Sequence, residues 1–398
     1  MTKRLRVCVL SRSYPNAVMP ELGLWVERPT VRLAEQCDVE VVSPVPWCPP
    51  LPDAGALGRY ARFRRVPVVE RRNGIDVAHP RLVVGPGSSL YRFEARAYAA
   101  GVRRTIERLH REAPFDLLHA HFIYPDGVAA QQFARRLGIP FVVSEHAPWW
   151  SVWLDRPGVA AAAVPAANDA AAMLAVSPSV ADTIRSYAGD GPRIEIIPVG
   201  VDGDFFKPGL NGGRKSDQIL FAGILKYVKG VDVLLQAVAR LAAKGVAARL
   251  LVAGGSLYPD TAWEEREIRE LATTLRLDDR VTFLGRLRPE EIARLMAESS
   301  VVVLPSKIES FGAVLVEALA CGTPVVATRC GGPESIVTDA VGELVPVGDA
   351  DALAGALDRV LARPERFDRA VLRSYALSRF GLDSVVDRTV ELYREVAA

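Results

Sequence analysis

Residues 301–328 read VVVLPSKIESFGAVLVEALACGTPVVAT, and their pattern of apolar and polar residues is the strongest indication of the fold. Its first four residues, 301–304, are apolar and mostly β-branched, which predicts a buried strand. A helix of about residues 311–320 follows and ends at Gly322, a residue type common at helix C-termini. A second apolar strand, 325–327, comes next. The order strand, helix, strand predicts a βαβ unit and therefore a parallel sheet.

The loop between this strand and helix carries polar residues suited to ligand binding. Glu309 and Ser310 precede the helix, and the first N–H groups of a helix have no partner within it; here they belong to Phe311, Gly312 and Ala313. A helix start after a strand, with a glycine that allows close approach, is typical of a phosphate site. The structural alternative is that Glu309 only caps the helix.

Glu317 interrupts the apolar run 314–320 of the same helix. Burial of a carboxylate there lowers the folding stability by roughly several kcal/mol unless the group is hydrogen-bonded. A pair of ligand hydroxyls, such as a ribose diol, would satisfy it. The structural alternative is a hydrogen bond within the protein.

Short apolar runs alternate with helical stretches along most of the chain. We predict strands at 5–10, 39–43, 117–120, 141–144 and 173–176, and again at 218–221, 249–253, 281–284, 301–304 and 325–327. A Gly- and Pro-rich stretch separates the two series. The sequence predicts an α/β protein of two doubly wound domains, 1–197 and 217–380, joined by a linker at 198–216. A final amphipathic helix covers 381–398, and its apolar positions are Val385, Val386, Val390, Leu392 and Val396.

Composition narrows the class of protein. The chain has 398 residues, of which 49% are hydrophobic and 24% charged, with a net charge of +2, so a disordered or fibrous chain is excluded. Its 5 cysteines form no C-x-x-C pair, which argues against a disulfide framework and a cysteine zinc site. The chain has no signal-peptide core and no apolar run of membrane-spanning length. We therefore expect a cytoplasmic protein.

Residues 59–111 are strongly basic, with 13 arginines and 4 acidic residues interleaved with aromatics. One interpretation is a peripheral contact with an anionic membrane surface or an anionic acceptor. The other is a solvated arginine-rich face. A nucleic-acid partner is disfavoured, because the net charge of the whole chain is near zero and no nucleic-acid-binding motif is present.

At this point the motifs resemble a known family, the retaining glycosyltransferases of family 4. The resemblance rests on Glu309 and Glu317 in an E-x7-E pattern, followed by EALACGTPVVAT. Four further segments agree with it: IIPVGVD at 196–202, FAGILKYVKGVDV at 221–233, DLLHAHFIYPDG at 116–127, and the opening Tyr14-Pro15 with Gly23. By that opening and the VSPVPW segment, the resemblance is closest to bacterial polysaccharide-assembly members.

The resemblance implies the GT-B fold, in which two Rossmann-like domains face an interdomain cleft and the C-terminal helix packs back on the N-terminal domain. It implies a hexosyltransferase that takes its sugar from a UDP-sugar or a GDP-sugar, with no cofactor and no metal. The C-terminal domain would hold this donor. The N-terminal domain would hold an acceptor hydroxyl on a sugar, polymer or lipid-linked molecule, with retention of anomeric configuration.

The resemblance also assigns roles to residues. The catalytic residues would be His121, Lys229 and Glu309, with His121 in contact with the donor sugar or its phosphate. The donor-binding residues would be Gly23, Gly223, Lys226, Ser310, Phe311, Gly312, Ala313 and Glu317.

Three further assignments come from position in the predicted strands and not from the resemblance. His146, at the end of the strand 141–144, would line the acceptor pocket with Trp149 or Trp150, or these rings form an aromatic patch in the core. His119 shares a strand face with His121 and would support it. Two D-x-D tripeptides, at Asp202 and at Asp349, are not assigned to a metal because such tripeptides are common by chance.

One position departs from the family pattern and keeps an alternative open. The family usually has arginine directly after the glycine at 223, and this chain has Ile224. Lys226 would have to replace that charge. A pseudoenzyme that binds nucleotide sugar without transferring it is therefore an alternative, as is an epimerase of the same fold. A glycoside hydrolase would also use two carboxylates, but it needs no phosphate site. The phosphate site predicted before the helix at 311–320 therefore disfavours this class.

Overall fold

The computed structural model describes residues 4–47, 55–83, 91–147, 154–156, 158–209, 214–256 and 262–398. The chain divides into two compact units. The first unit comprises Met1–Gly200 together with Val385–Ala398, and the second comprises Val201–Ser384.

Within the described residues, the first unit holds an eight-stranded sheet and a two-stranded one. In chain order the strands are β1 (Arg6–Leu10), β2 (Asp38–Val42), β3 (Val45–Pro46), β4 (Val69–Arg72), β5 (Ile75–Ala78), β6 (Arg81–Leu82), β7 (Leu117–His121), β8 (Phe141–Glu145), β9 (Ala172–Ala175) and β10 (Ile194–Ile196). The larger sheet has the order β10-β9-β8-β7-β1-β2-β5-β4, and β3 pairs with β6. Only β4 runs antiparallel to its described neighbour.

The helices of the first unit lie between these strands. They span Leu24–Gln36, Tyr91–Glu112, Val128–Leu137, Val159–Asp169 and Pro178–Ala188. The central strands β7 and β8 are buried along their whole length. Burial on both faces explains why apolar residues stand side by side at Leu117-Leu118 and at 141–143, because helices cover both faces of a parallel sheet.

The second unit contains a sheet of six described strands, all parallel. They are β11 (Lys215–Ala222), β12 (Arg249–Ala253), β13 (Val281–Gly285), β14 (Ser299–Leu304), β15 (Val325–Thr328) and β16 (Gly342–Val345), in the order β13-β12-β11-β14-β15-β16. The helices span Val231–Ala243, Ala262–Thr274, Pro289–Glu298, Ala313–Ala320, Ala350–Ala362 and Arg369–Phe380. The strand order reverses between β11 and β14, which is where ligands bind in such sheets.

All ten predicted strands are present, and their ends differ by a few residues. The largest difference is β11, which begins at Lys215, inside the stretch predicted as a linker. The helix predicted from residue 311 begins at Ala313 instead. The reason is Gly312, whose φ of 99° is left-handed and therefore not helical.

The sequence analysis missed the hairpin of β4 and β5, which lies inside the arginine-rich stretch. Its turn is Asn73-Gly74, and both residues have positive φ, 48° and 83°. An Asn-Gly pair between short β-rich runs is a strong hairpin signal.

The last helix, Leu382–Val396, buries an apolar stripe as predicted. Val385, Val386, Val390 and Leu392 are buried, whereas Val396, also expected in the stripe, is only half-buried. Tyr393 was not predicted to be buried, yet it is fully enclosed. Tyrosine carries a polar hydroxyl, so a pattern of apolar residues does not include it, although most of its ring is apolar.

A glycine at the start of the helix Val231–Ala243 provides a test of this packing. Gly230 has φ +68°, and a Cβ there would lie 1.9 Å from the carbonyl oxygen of Pro305. Gly245 also has positive φ, +75°, but a Cβ there meets nothing within 4 Å. We expect Gly245→Ala to cost about 1 kcal/mol of unfolding free energy and Gly230→Ala to cost at least about 3 kcal/mol in urea unfolding. Equal losses in the two variants would contradict the close approach.

Candidate active site

In the first unit, two predicted histidines meet at the ends of neighbouring strands. His121 ends β7 and His146 directly follows β8. Nδ1 of His121 lies 2.9 Å from Nε2 of His146, and the two rings are nearly parallel, at 15°. Because β7 and β8 are parallel neighbours, their C-terminal ends reach the same edge of the sheet.

Glu145 binds the backbone on both sides of this histidine pair. Its Oε1 accepts hydrogen bonds from the N–H groups of His146 and Ala147, and its Oε2 accepts one from Ile123. The carboxylate is 1% exposed. It therefore holds the two chain segments that carry the imidazoles at a defined separation.

His119 supports His121 from one side, as predicted from their shared strand face. The two ring centroids are 4.4 Å apart. His119 Nε2 lies 2.8 Å from the hydroxyl of Ser144, and its Nδ1 lies 2.5 Å from the hydroxyl of Tyr393 in the last helix. Each ring nitrogen of His119 thus has a partner within the protein.

Burial keeps all three imidazoles neutral at physiological pH. Desolvation lowers the pKa of His119 to about 3 and that of His146 to about 4, from an ordinary value of 6.5. The pKa of His121 is lowered by desolvation and by its two histidine neighbours. Each neutral ring has one N–H donor and one acceptor nitrogen and carries no charge.

A cavity of about 60 Å³ opens beside the histidines. Its walls are mostly apolar and come from the helix Leu24–Gln36, from the ends of the strands and from the last helix; they include Trp25, Leu33, Val176, Ile197 and Val385. Polar groups in the lining are His119, His121, Ser144, His146, Thr30, Thr389 and Tyr393. The cavity has room for a few water molecules or a small polar fragment of a ligand.

A second buried group lies close by in the predicted 116–127 segment. Asp126 accepts hydrogen bonds on Oδ1 from the N–H of Arg12 and from the hydroxyl of Tyr98. Its Oδ2 is buried and has no hydrogen-bond partner among the described residues. Burial raises the pKa of Asp126 to about 7.

Gly23 and Trp149 are the other predicted site residues of the first unit. Gly23, with φ +77°, lies against the carbonyl of Ser13, where any side chain would collide. This contact folds the first loop back onto itself just before the helix Leu24–Gln36. Trp149, predicted for the acceptor pocket, and its alternative Trp150 lie outside the described residues.

In the second unit, Lys229 and Glu309 form an ion pair, although the sequence separates them by 80 residues. Nζ of Lys229 lies 2.6 Å from Oε1 of Glu309, and Ser306 donates a hydrogen bond to the same oxygen at 2.7 Å. Oε2 of Glu309 makes no hydrogen bond within the described part of the chain. Lysine has three N–H donors, so two remain for a ligand.

The start of the helix Ala313–Ala320 lies next to Glu309 in the chain. The amide groups of Phe311, Gly312 and Ala313 have no hydrogen-bond partner among the described residues. Phe311 contributes only its backbone there, because its ring is buried against Phe380, with centroids 5.6 Å apart. A lysine next to free helix amides is an arrangement that binds phosphate.

Glu309 does not cap this helix. Gly312 occupies the N-cap position, and no side chain caps the helix. The carboxylate is instead bound to Lys229 and Ser306, which excludes the capping interpretation.

Glu317 differs from its predicted environment. It is half-buried rather than enclosed, and it shares the partly exposed face of the helix with Ala313 and Val314. The desolvation cost expected for it is therefore smaller. Its position on this face is compatible with a ligand that lies along the helix start.

The loop after β11 carries the remaining predicted donor residues. The N–H of Gly223 donates to the carbonyl of Ala253, so this amide is used within the unit. Ile224 and Lys226 are half-buried. The turn that follows is closed by the N–H of Lys229, which donates to the carbonyl of Lys226.

The two D-x-D tripeptides have structural roles. Asp202 accepts hydrogen bonds from the N–H groups of Asp204 and Phe205 in a turn. Asp349 is the N-cap of the helix Ala350–Ala362. Among the described residues, no cluster of three or more histidine, cysteine or carboxylate side chains is arranged to hold a metal ion.

The arginine-rich stretch 59–111 is in part structural. Arg71 pairs with Asp76 and Arg72 with Glu27, and Arg81 binds the carbonyls of Phe63 and Val66. Arg62, Arg64 and Arg65 are exposed in the 3-10 helix Gly55–Arg65. Within the described residues, no helix combines the length and the apolar character needed to cross a bilayer.

Sequence reasoning missed Ser306 and Tyr393, which hold Glu309 and His119. The signal for Ser306 was its place three residues before Glu309 in the same loop. Tyr393 had no local signal, because its partner His119 is 274 residues away.

Two family models match consecutive parts of the chain. The model for Glycosyltransferase Family 4 matches residues 30–205, and that for Glycosyl transferases group 1 matches residues 204–377. Two Rossmann-like units that match these models define a glycosyltransferase of the GT-B fold. The chain belongs to glycosyltransferase family 4.

Sequence relatives agree with this assignment. A D-inositol 3-phosphate glycosyltransferase from Saccharomonospora viridis is 35% identical over 362 residues, covering 83% of this chain and 82% of that protein. A protein of the same name from Mycolicibacterium smegmatis is 34% identical, covering 74% of this chain and 71% of that protein.

Solved structures support the fold. Sucrose-phosphate synthase from Thermosynechococcus elongatus aligns with a TM-score of 0.81 at 23% identity, covering 98% of this chain and 99% of that one. Anabaena HepE in complex with UDP-glucose aligns with a TM-score of 0.74 at 20% identity, covering 98% of this chain and 100% of that one. The predicted family and fold are therefore confirmed.

The neutral histidines predict how stability depends on pH. Their pKa values are lowered in the folded state, so protons bind more strongly to the unfolded chain below pH 6.5. We expect the unfolding free energy to fall between pH 6.5 and pH 4, by up to about 1.4 kcal/mol per pH unit for each histidine. Urea unfolding at several pH values measures this slope, and His119→Gln should reduce it.

Asp126 provides a control of opposite sign. Its pKa is raised, so the folded state keeps a proton that the unfolded carboxylate has lost above pH 4, and this term favours the folded state at lower pH. Asp126→Asn removes that term and should make the acid slope steeper. A stability that is constant or rises below pH 6.5 in the wild-type protein would contradict the buried neutral histidines.

Proposed function

We propose that this glycosyltransferase moves a hexosyl group from a nucleoside diphosphate sugar to a hydroxyl acceptor, with retention of anomeric configuration and without a metal. The observation that carries the proposal is the Lys229–Glu309 pair beside the free amides at the start of the helix Ala313–Ala320. A cation next to helix N–H groups suits a diphosphate.

Each group has a distinct task in the proposed reaction. Lys229 and the amides of residues 311–313 stabilise the negative charge that develops on the departing diphosphate. Oε2 of Glu309 accepts hydrogen bonds from sugar hydroxyls, and Glu317 binds the ribose diol. The acceptor hydroxyl attacks from the face that the diphosphate leaves, and its proton passes to a phosphate oxygen. The donor is a UDP-hexose or a GDP-hexose.

The proposed acceptor follows from the names of the relatives. D-inositol 3-phosphate is the first acceptor to test, because the relatives at up to 35% identity carry that name. A polymer or lipid-linked sugar, the acceptor suggested by the VSPVPW resemblance, is the second. The arginines of 59–111 suit an anionic acceptor or an anionic membrane surface, and vesicle sedimentation tests the latter.

The first experiment identifies the donor. Purified protein is incubated with a panel of UDP- and GDP-sugars, with and without each acceptor, in EDTA, and nucleotide release and thermal shift are recorded. NMR of the product then reports the anomeric configuration. Thermal stabilisation by donors without any transfer or hydrolysis would favour the pseudoenzyme alternative raised by Ile224, and conversion of the donor without an acceptor would favour the epimerase.

Lys229 is the sharpest test of the donor site. Lys229→Ala should lower kcat/KM on the order of 10²–10³-fold, because it removes one contact to the leaving group. Lys244→Ala, at the far end of the adjacent helix, is the matched control and should leave kcat/KM unchanged. If Lys229→Ala stays within a few-fold of wild type, the proposed role of this lysine is wrong.

A further inference from the structure

We propose that His146 is a positioning residue that fixes the tautomer of His121, so that His121 presents an N–H group at Nε2 to the substrate. The proposal rests on the proposed function, because it takes His121 as the imidazole that meets the donor sugar or its phosphate. It concerns His146, which its position at a strand end placed in the acceptor pocket.

The geometry restricts the protons of the pair. Nδ1 of His121 and Nε2 of His146 are 2.9 Å apart, a hydrogen-bond distance that requires one proton between them. Glu145 fixes the backbone beside both rings, so the two chain segments that carry the rings stay at a defined separation.

Neutral rings leave two arrangements. Since burial lowers both pKa values, each imidazole carries one proton near pH 7. In the first arrangement His121 donates from Nδ1, its Nε2 is a bare acceptor, and His146 carries its proton at Nδ1. In the second arrangement His146 donates from Nε2, and His121 carries its own proton at Nε2.

The environment of His146 Nδ1 distinguishes the two. This atom is buried and has no hydrogen-bond partner among the described residues. A buried N–H without an acceptor is rarer in proteins than an unsatisfied acceptor. The second arrangement avoids the orphaned N–H, so it is favoured, and it makes Nε2 of His121 a donor.

This donor has a target of the right chemistry. Nε2 of His121 makes no hydrogen bond within the described part of the chain, and His121 lines the cavity beside the pair. A neutral N–H donor suits a sugar hydroxyl oxygen or a phosphate oxygen. His119 does not compete for the role, since both of its nitrogens already have partners in Ser144 and Tyr393.

The direct test is the tautomer of His121. The chain has 5 histidines, so ¹⁵N-histidine labelling and long-range ¹H–¹⁵N correlation spectra can resolve each ring. We expect a neutral, Nε2-protonated His121 in the wild-type protein from pH 6 to pH 8. In His146→Leu we expect a mixture of tautomers. In His146→Gln, whose amide can donate to Nδ1 of His121, we expect the wild-type tautomer.

Kinetics provides the second readout. His146→Leu should lower kcat about tenfold with little change in donor KM, and His146→Gln should recover most of it. A thermal unfolding scan of both variants shows that they are folded.

An Nδ1-protonated His121 in the wild-type protein overturns the proposal, as does a tautomer that is the same in His146→Leu. Equal kcat losses in the leucine and glutamine variants also overturn it. The spectra need no turnover, so they decide the proposal even if the wild-type protein transfers no sugar, a result that would sink the proposed function alone.

Discussion

Parallel pairing of strands is the constraint on which both halves of this protein depend. In a parallel sheet every strand ends at the same edge, so residues that follow different strands become neighbours. In the first unit this brings His121 and His146 together from β7 and β8. In the second unit it places the loops after β11 and β14 side by side, and Lys229 meets Glu309 there. The residues to which we assign the chemistry lie at these two edges.

The two edges differ in their electrostatics. The edge of the second unit holds the ion pair of Lys229 and Glu309 together with the free amides at a helix start. The edge of the first unit holds three imidazoles that burial keeps uncharged. A charged group suits an anionic leaving group, whereas neutral imidazoles suit hydrogen bonds to hydroxyls. This difference gives a physical reason for a donor site in one unit and hydroxyl recognition in the other, which is the division of labour we propose.

The stability of the first edge depends on a distant element. The hydroxyl of Tyr393, in the last helix, is hydrogen-bonded to Nδ1 of His119, and Tyr393 is itself fully buried. Val385, Val386 and Val390 pack the same helix onto the first unit. The helix Leu382–Val396 is therefore part of the structure that holds the histidines in place.

The strands, the two-unit α/β order and a loop with the features of a phosphate site could be predicted from the sequence, because each of them depends on a local run of residues. Glu309 could be singled out because it stands directly before a helix start. Tertiary structure alone decided what these groups touch. Glu309 binds Lys229 across 80 residues and Tyr393 reaches His119 across 274, and no local pattern encodes such separations. It also showed that Gly223 uses its amide within the sheet and that Glu317 remains half-exposed. Hydrogen-bond partners and burial depend on packing between elements, which side-chain periodicity cannot specify.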